Sequence, residues 1–272
     1  MTVETLIVIP ARYASTRFPG KPLADVAGMT MLARTGRQAG AAAARLENAA
    51  FVVATDDERI AKHCETINAL SVMTDPDLPS GSDRALAAAL KIAPDCRYIV
   101  NLQGDAPLTP VRHLTAIVRT LRERKADAAT PCVRLSWDEL DQFRRDKIET
   151  PHSGTTCLVG EDNHALWFSK SVLPAIRKES ERRKTEDKSP VLRHIGLYGF
   201  RRDSLERFAA LAPSRYEKIE GLEQLRMLEN GMTIACVEVE ASPLSSSGID
   251  TPADLERLNA LIAAHGEPGV VE

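Results

Sequence analysis

The sequence predicts an α/β protein with a mostly parallel sheet, helices on both faces and a smaller antiparallel lobe. Apolar, β-branched runs alternate with helical segments over residues 1–150, a pattern typical of a parallel sheet covered by helices. The alternation changes over residues 151–200, where few crossover helices fit. Helices and one further strand return over residues 201–272. We therefore expect residues 1–150 and 201–272 to form one domain, with 151–200 as an inserted lobe.

The composition is that of an ordinary globular protein and gives no indication of a nucleic-acid groove or a membrane surface. Of the 272 residues, 43% are hydrophobic and 27% are charged, and the net charge is −3. No apolar run approaches the roughly 20 residues of a membrane span, and no signal peptide is expected. The five cysteines lack C-x-x-C spacing, which favours reduced thiols over a zinc site. We expect a cytoplasmic protein that binds neither nucleic acid nor membrane.

The first predicted strand, Leu6–Ile9, ends at Pro10 and is followed by a basic loop. Ligands of open α/β sheets bind beyond the carboxyl ends of the strands, so this loop is well placed to contact one. No acidic residue occurs between Pro10 and Pro22. Backbone N–H groups and cations together suit phosphates, so we expect a polyanionic ligand. The cations of the loop are Arg12, Arg17 and Lys21.

The basic loop matches neither of the two common phosphate-binding motifs. Ser15 stands where a Walker A loop has its first glycine, and Pro22 replaces the Ser/Thr of that motif. The G-x-G-x-x-G pattern is absent as well. On composition alone, a solvated surface loop remains the alternative to a phosphate site.

Strands and helices then alternate as a parallel sheet requires, up to about residue 150. The predicted elements are a helix from Met31 to Ala44, a strand Ala49–Ala54, a helix capped by Thr55–Glu58 and ending near Ile67, a strand Ser71–Thr74, a loop Asp75–Asp83, a helix Ala85–Ile92, a strand Tyr98–Leu102, a helix from Thr109-Pro110 to about Arg124, a strand Ala128–Leu135 and a charged helix Asp138–Asp146.

Two loops of this region carry side chains that suit ligands. The segment Ser80–Arg84 precedes a helix, and its hydroxyl groups and glycine suit either a helix cap or a ligand. Asp105 follows the strand Tyr98–Leu102, beside Gly104 and before Pro107. A carboxylate at the tip of a buried strand suits Mg²⁺, which takes one or two carboxylates together with substrate phosphates. An aspartate in an ordinary turn is the alternative.

The second half of the chain has fewer crossover helices. His194 and Tyr198 lie four residues apart in one predicted strand, so we expect them on one face of the sheet. Asp250 precedes a helix cap, which leaves its carboxylate able to face outward. The predicted elements are strands Ala165–Ser169, His194–Phe200 and Thr233–Val239, a solvated charged run Arg177–Lys188, helices Asp203–Leu211 and Ile219–Glu229, and a final helix that begins at Thr251–Asp254.

Several segments, in order along nearly the whole chain, resemble the 3-deoxy-manno-octulosonate (Kdo) cytidylyltransferases. That family makes CMP-Kdo and pyrophosphate from CTP and Kdo for bacterial lipopolysaccharide or capsule. The resemblance implies a nucleotide-binding sheet of the nucleotide-diphospho-sugar transferase type, Mg²⁺ as cofactor, CTP and Kdo as substrates, and a homodimer. The segments read PARYASTRFPGKPL, SGSDR, QGDAP, RHIGLYGFR, LEQLR and GIDTPADLE.

The resemblance also implies roles for individual residues, which fall into three groups. The catalytic residues would be Arg12, Lys21, Asp105 and Asp250, of which Asp105 and Asp250 would bind the metal. The nucleotide would contact Ala11, Arg12, Lys21, Ser80, Gly81, Ser82, Arg84 and Gln103. The sugar acid would contact Gln103, Lys170, Arg177, His194, Tyr198, Glu223 and Gln224.

The chain departs from the family pattern at four places. Ser82 replaces a threonine, Ala106 a glutamate and Lys170 an arginine, and Ala175-Ile176 stand where the family has a tryptophan-acid pair. Lysine cannot form the two-pronged contact that arginine makes with a carboxylate. Two alternatives therefore remain, namely transfer to another sugar acid (8-amino-Kdo or a sialic-acid-like acid) and a CTP-binding paralogue without activity. The retained Asp105 and Asp250 argue against the second.

Overall fold

The computed structural model describes residues 2–14, 18–242, 249 and 251–266. The strands, in chain order, are β1 (Thr5–Ala11), β2 (Asp25–Val26), β3 (Met29–Thr30), β4 (Ala49–Thr55), β5 (Ser71–Met73), β6 (Tyr98–Asn101), β7 (Ala128–Ser136), β8 (Thr156–Val159), β9 (Ala165–Ser169), β10 (Lys188–His194), β11 (Tyr198–Arg201) and β12 (Ile234–Glu238). The helices are α1 (Met31–Ala44), α2 (Glu58–Thr66), α3 (Gly81–Ile92), α4 (Val111–Glu123), α5 (Trp137–Glu149), α6 (Glu179–Thr185), α7 (Arg202–Ala209), α8 (Arg215–Glu220), α9 (Gln224–Glu229) and α10 (Pro252–His265), with a 3-10 turn at Lys21–Leu23.

Ten of the described strands form one sheet in the order β5-β4-β1-β6-β11-β7-β10-β8-β9, with β12 also paired to β7. The strands β5, β4, β1 and β6 pair in parallel, and β12 runs parallel to β7. Antiparallel pairs join the strands from β6 through β11, β7, β10 and β8 to β9. Helices cover both faces, which confirms the predicted α/β class. None of the described helices has the length and apolar character that crossing a bilayer demands.

Strand β1 lies inside the sheet and is buried on both faces. Leu6 and Val8 pack on the side of α3, whereas Ile7 and Ile9 pack on the side of α1 and α4. All four side chains are fully buried. An uninterrupted apolar run is what a strand covered on both faces requires, so the predicted first strand is confirmed, with its end extended to Ala11.

The predicted strand His194–Phe200 is interrupted in the structure. Strand β10 ends at His194 and β11 begins at Tyr198, and both pair with the edge of β7 opposite to β12. The hydroxyl of Thr130 donates a hydrogen bond to the carbonyl oxygen of Leu197 at 2.8 Å. This bond satisfies a carbonyl group in the stretch where the strand is interrupted. Beyond this break the outer partner of β11 is β6 and that of β10 is β8, so the sheet divides here.

Two predicted helix boundaries were wrong for local reasons. Helix α3 begins at Gly81 rather than Ala85, because the hydroxyl of Ser80 caps it by accepting a hydrogen bond from the amide of Asp83 at 3.2 Å. The predicted helix Ile219–Glu229 is two short helices, α8 and α9, separated at Gly221. That glycine adopts a left-handed conformation with φ 64°, which ends α8.

The segment 151–200 contributes strands β8, β9 and β10, which extend the sheet beyond β7. Its charged run is exposed at most positions, which confirms the predicted solvation, and it contains helix α6, which is fixed to α5 by ion pairs. Arg183 contacts Asp141 at 2.6 Å, and Arg144 contacts Glu179 at 2.8 Å. The division of the chain into a domain and an inserted lobe stays a prediction.

Candidate active site

The predicted site residues of the first half meet at the carboxyl ends of the parallel strands. Ala11, the last residue of β1, lies beside Thr55, the last residue of β4. The loop after β6 carries Gln103 and Asp105 to the same edge, because β6 pairs with the other side of β1. Loops that follow neighbouring parallel strands form the ligand crevice of such sheets.

Lys21 ties three distant segments together at this edge. Its Nζ donates to Oδ2 of Asp105 at 2.9 Å and to the carbonyl oxygen of Ile249 at 2.8 Å. The amide of Ile249 in turn donates to the carbonyl oxygen of Asp105 at 3.0 Å. The structure thus brings together Lys21 and Asp105, as predicted. Asp250, the second predicted metal ligand, lies outside the described residues, as does Arg17.

Gly104 allows the loop after β6 to close on β1. A Cβ atom at this position would lie 2.7 Å from the carbonyl oxygen of Pro10, closer than such atoms approach. Because the obstacle is backbone, it cannot turn aside as a side chain would. Glycine at position 104 therefore allows the loop to keep the neighbouring Asp105 close to β1.

Replacing Gly104 with alanine is expected to lower the free energy of unfolding by about 1–3 kcal/mol, the usual cost of forcing extra atoms into a packed site. Urea unfolding followed by circular dichroism measures this change. Gly196→Ala is the matched control, since nothing lies within 4 Å of a Cβ built there. Equal stability of the two variants would contradict the close approach.

Arg12 and Arg84 share the carboxylate of Asp56, which follows β4. Arg84 is fully buried, and its Nη2 donates to Oδ2 of Asp56 at 2.9 Å. Nε of Arg12 lies 3.9 Å from the same oxygen, while its Nη2 donates to the carbonyl oxygen of Leu78. Burial lowers the pKa of the Arg84 guanidinium, and the negative charge of Asp56 opposes that effect. Two guanidinium groups around one carboxylate make this edge suited to an anion.

The start of α3 adjoins the loop after β6. The hydroxyl of Ser80 donates to Oδ2 of Asp83 at 2.6 Å in addition to capping the helix, so the capping role is confirmed. Gly81 packs against the side chain of Gln103, whose amide atoms would lie 3.4 Å from a Cβ at that position. Ser82 is buried, and its hydroxyl accepts a hydrogen bond from the side-chain Nδ2 of Asn101 at 3.4 Å. Contact of these residues with a nucleotide stays a prediction.

A second cluster of predicted residues lies at the break between β10 and β11. The rings of His194 and Tyr198 lie 5.4 Å apart although they belong to different strands. Nε2 of His194 lies 2.9 Å from the hydroxyl of Thr130. Burial lowers the pKa of the His194 imidazole to about 3, and the charge of Lys170 acts in the same direction. His194 is therefore neutral at pH 7 and available for hydrogen bonding.

Glu223 and Gln224 lie next to this cluster at the start of α9. Oε2 of Glu223 lies 3.4 Å from the hydroxyl of Ser82, which connects the cluster to α3. Burial raises the pKa of the Glu223 carboxyl. The charge of Glu223 also acts on the pKa of the Tyr198 hydroxyl, which burial raises well above its ordinary value. Glu223 and His194 therefore both lie near Tyr198.

Several buried polar atoms of this second cluster, and one of Asn101 beside Tyr198, have no hydrogen-bond partner among the described residues. The hydroxyl of Thr130, near Tyr198, is taken up by His194 and Leu197. Leaving a buried polar atom unsatisfied costs about 1–3 kcal/mol. A ligand rich in hydroxyl groups would satisfy such a set. The atoms are Asn101 Oδ1, Tyr198 Oη, Glu223 Oε1 and Gln224 Nε2.

The two predicted cations of the second cluster differ in their placement. The carboxylate of Glu220 accepts hydrogen bonds from the amide of Lys170 and the hydroxyl of Ser169, both at 2.8 Å. Burial lowers the pKa of Lys170, and its charge reaches His194. Arg177 is exposed in the turn before α6, and no contact found among the described residues joins it to the cluster. The structure therefore places Lys170, but not Arg177, beside the other residues.

Sequence reasoning missed three residues of the site. Asp56 was interpreted only as part of a helix cap, yet it follows a buried strand just as Asp105 does. Asn101 is a polar residue at the end of a buried strand, which is the same signal. Thr130 lies within an apolar strand, and its role depends on the break between β10 and β11, which no local pattern predicts.

Comparison with known proteins agrees with this arrangement. A family model described as "Cytidylyltransferase" matches residues 6–234. A 3-deoxy-manno-octulosonate cytidylyltransferase of Maricaulis maris (strain MCS10) is 43% identical over 97% of this chain and 99% of its own length. The enzyme of the same name from Rhizobium etli (strain CIAT 652) is 39% identical over 96% of each chain.

Solved structures show the same likeness. A structure of CMP:2-keto-3-deoxy-manno-octonic acid synthetase complexed with CTP has a TM-score of 0.81 and 33% identity, covering 96% of this chain and 99% of its own. A cytidylyltransferase from Leptospira borgpetersenii, with a TM-score of 0.60 and 17% identity, shares the fold. The sequence matches extend over nearly the full length of both partners. The chain belongs to the cytidylyltransferases and, among them, to the 3-deoxy-manno-octulosonate cytidylyltransferase family.

Proposed function

We propose that this chain transfers a cytidylyl group from CTP to Kdo, forming CMP-Kdo and pyrophosphate for lipopolysaccharide or capsule synthesis. One observation carries the proposal: the cationic crevice and the cluster of unsatisfied polar atoms are built on shared elements. Ser82, which contacts Glu223 and Asn101, lies in α3 with Arg84. Asn101 ends the strand that precedes Asp105. The crevice suits a triphosphate, and the cluster suits a sugar with several hydroxyl groups. The relatives of the same name and the CTP complex of the solved relative support both assignments.

The reaction requires positioning and neutralisation of charge rather than a covalent enzyme intermediate. The anomeric hydroxyl of the sugar acid attacks the α-phosphorus of CTP through its oxygen and loses its proton to solvent, and the bond from that phosphorus to the pyrophosphate oxygen breaks. Arg12 and Lys21 would bind the triphosphate and offset the charge that develops on pyrophosphate. Asp105 orients Lys21 through the ion pair at 2.9 Å. Preorganised charges of this kind stabilise a transition state without rearranging during the reaction.

The residues fit a Mg²⁺ ion held largely by substrate. Among the described residues no group of three or more His, Cys, Asp or Glu side chains is arranged to hold a metal by itself. The side chain of Asp105 is 31% exposed beside the cations of the crevice, which suits an ion bound by one carboxylate and by phosphates. Asp105 and, on the family resemblance, Asp250 would hold it. When bound, Mg²⁺ would neutralise phosphate charge and help to orient the two substrates.

The sugar acid would lie against His194, Tyr198, Glu223 and Gln224, with its carboxylate toward Lys170. A second candidate substrate follows from Lys170 itself. The negative charge of Glu220 partly offsets the positive charge of Lys170. An ammonium group also lacks the two parallel hydrogen bonds that a guanidinium makes with a carboxylate. The same chemistry on 8-amino-Kdo or a sialic-acid-like acid is therefore the alternative.

Pyrophosphate release with CTP and Mg²⁺, measured across Kdo, 8-amino-Kdo and a sialic acid, tests the proposal. Turnover with Kdo at the lowest KM is expected. If turnover occurs only with one of the other two acids, that acid and not Kdo is the substrate. CTP binding without turnover on any of the three would identify a paralogue without this activity.

Lys170→Arg is expected to lower the KM for the sugar acid severalfold, because a two-pronged contact replaces a single charge. The KM for CTP should not change, since Lys170 lies beside His194 and not in the cationic crevice. Steady-state kinetics with each substrate varied in turn measures both constants. Lys184→Arg, on the exposed side of α6, is the control. An unchanged KM for the sugar acid would show that Lys170 does not contact that substrate.

We further propose a homodimer that works in the cytoplasm and binds neither nucleic acid nor membrane. The net charge of −3 and the five free, buried cysteines support the location and the absence of these partners. Exposed apolar side chains on β9 and α8, at the outer edge of the sheet, support a contact between copies. They are Leu166, Tyr216 and Ile219. Sedimentation at several protein concentrations measures the oligomeric state.

A further inference from the structure

Asp56 is placed where it can control the geometry of the cationic crevice. It follows directly after β4, and its side chain is only 15% exposed. Its Oδ2 accepts a hydrogen bond from Nη2 of Arg84 at 2.9 Å and lies 3.9 Å from Nε of Arg12. One carboxylate oxygen therefore faces both a buried guanidinium and one that borders the crevice.

Arg84 is fixed from two sides and gives Asp56 a rigid partner. Its Nη1 donates to the hydroxyl of Thr74, which itself donates to the carbonyl oxygen of Thr55 at 3.1 Å. Arg84 is fully buried in α3, so its contacts connect that helix to the ends of β4 and β5. The charge of Asp75, on the neighbouring loop, also acts on Arg84 and favours its protonated form.

Arg12, by contrast, has its side chain 39% exposed. Its guanidinium donates to the carbonyl oxygen of Leu78 and forms a longer ion pair, at 3.9 Å, with Asp56. A free arginine side chain samples many rotamers, and ordering it on ligand binding costs affinity. Contacts made before the ligand arrives remove that cost.

We propose that Asp56 is a positioning residue of the nucleotide site, which acts on CTP only through Arg12. This inference rests on the proposed function. A carboxylate beside a triphosphate would repel it, and the charge of Arg84 offsets that repulsion. Arg84 thus neutralises Asp56, and the charge of Arg12 stays available to the phosphates.

A double-mutant cycle separates this role from a purely structural one. Asp56→Asn should weaken CTP binding up to about fivefold, the size of one lost ion pair with a partly exposed side chain. It should also lower Tm, because a buried guanidinium is left without its counter-charge. Asp56→Asn combined with Arg84→Met removes that buried charge as well. The double variant should regain thermal stability but keep the weakened binding of CTP.

Calorimetric titration of CTP with Mg²⁺ and no sugar acid, together with thermal unfolding, gives both readouts. Asp95→Asn, an exposed aspartate before the amino end of β6, controls for the change in net charge. Recovery of wild-type affinity in the double variant, or wild-type affinity in Asp56→Asn, would overturn the positioning role. If the wild-type protein binds no CTP, this inference and the proposed function both fail. If CTP binds but none of the sugar acids is turned over, the proposed function fails and the positioning role of Asp56 can still be tested by CTP binding.

Discussion

Asp105→Asn is expected to lower kcat by about a hundredfold or more, the loss seen when one preorganised charge is removed from a transition state. Asparagine has the shape of aspartate, and the side chain is 31% exposed, so the fold should be retained. The variant loses the negative charge that orients Lys21 and that would hold Mg²⁺. Pyrophosphate release at saturating CTP and sugar acid measures the change, with circular dichroism to verify folding.

Asp187→Asn, on an exposed turn, is the control for this substitution. Raising the concentration of Mg²⁺ should recover part of the activity of Asp105→Asn if the carboxylate binds the ion. By the family resemblance, Asp250→Asn should have an effect of similar size. Full activity in either variant would refute the assignment of that residue to the metal.

Lys21→Met is expected to lower kcat/KM for CTP by about a hundredfold, since one charged donor to the phosphates is lost. Methionine retains the apolar stem but loses the contacts of Nζ with Asp105 and Ile249. The affinity for the sugar acid should change little, because its cluster lies at the break between β10 and β11 and at the start of α9, whereas Lys21 contacts the loop after β6. Kinetics with each substrate varied separately distinguish the two effects.

Lys62→Met, on the exposed side of α2, removes the same charge without touching the crevice. Should Lys21→Met mainly raise the KM for the sugar acid, the division of the site into a nucleotide part and a sugar part would be wrong. A drop in Tm larger than that of Asp105→Asn would instead indicate that Lys21 acts chiefly as a structural link between the three segments.

The sequence predicted the parts of the fold that depend on local pattern. From Leu6 to Ile9 strand β1 is apolar, as burial of both its faces requires, and Thr251 caps the last helix with a capping box. Asp105 was identified because it follows a buried strand. Such features are decided within a few residues, so one chain is enough to recognise them.

The remaining features depend on contacts between distant segments. At the break after His194, the side chain of that residue is hydrogen-bonded to Thr130, which lies 64 residues away in the sequence. Asp56 has the local signal of a helix cap, and its pairing with Arg84 appears only when α3 packs beside β4. Roles for Glu223 and Gln224 came from the family resemblance, because their helix alone has an ordinary amphipathic pattern.

The bond between Ile249 and Asp105 has a consequence for the synthesis of the protein. The last strand of the sheet ends at Glu238, so a nascent chain released to that point already contains every described strand. It still lacks Ile249, whose backbone closes on Asp105 and on Lys21. A chain that ends between Glu238 and Ile249 would therefore have every described strand and an unfinished crevice. Formation of the crevice would thus require synthesis past Ile249, whereas pairing of the strands would not.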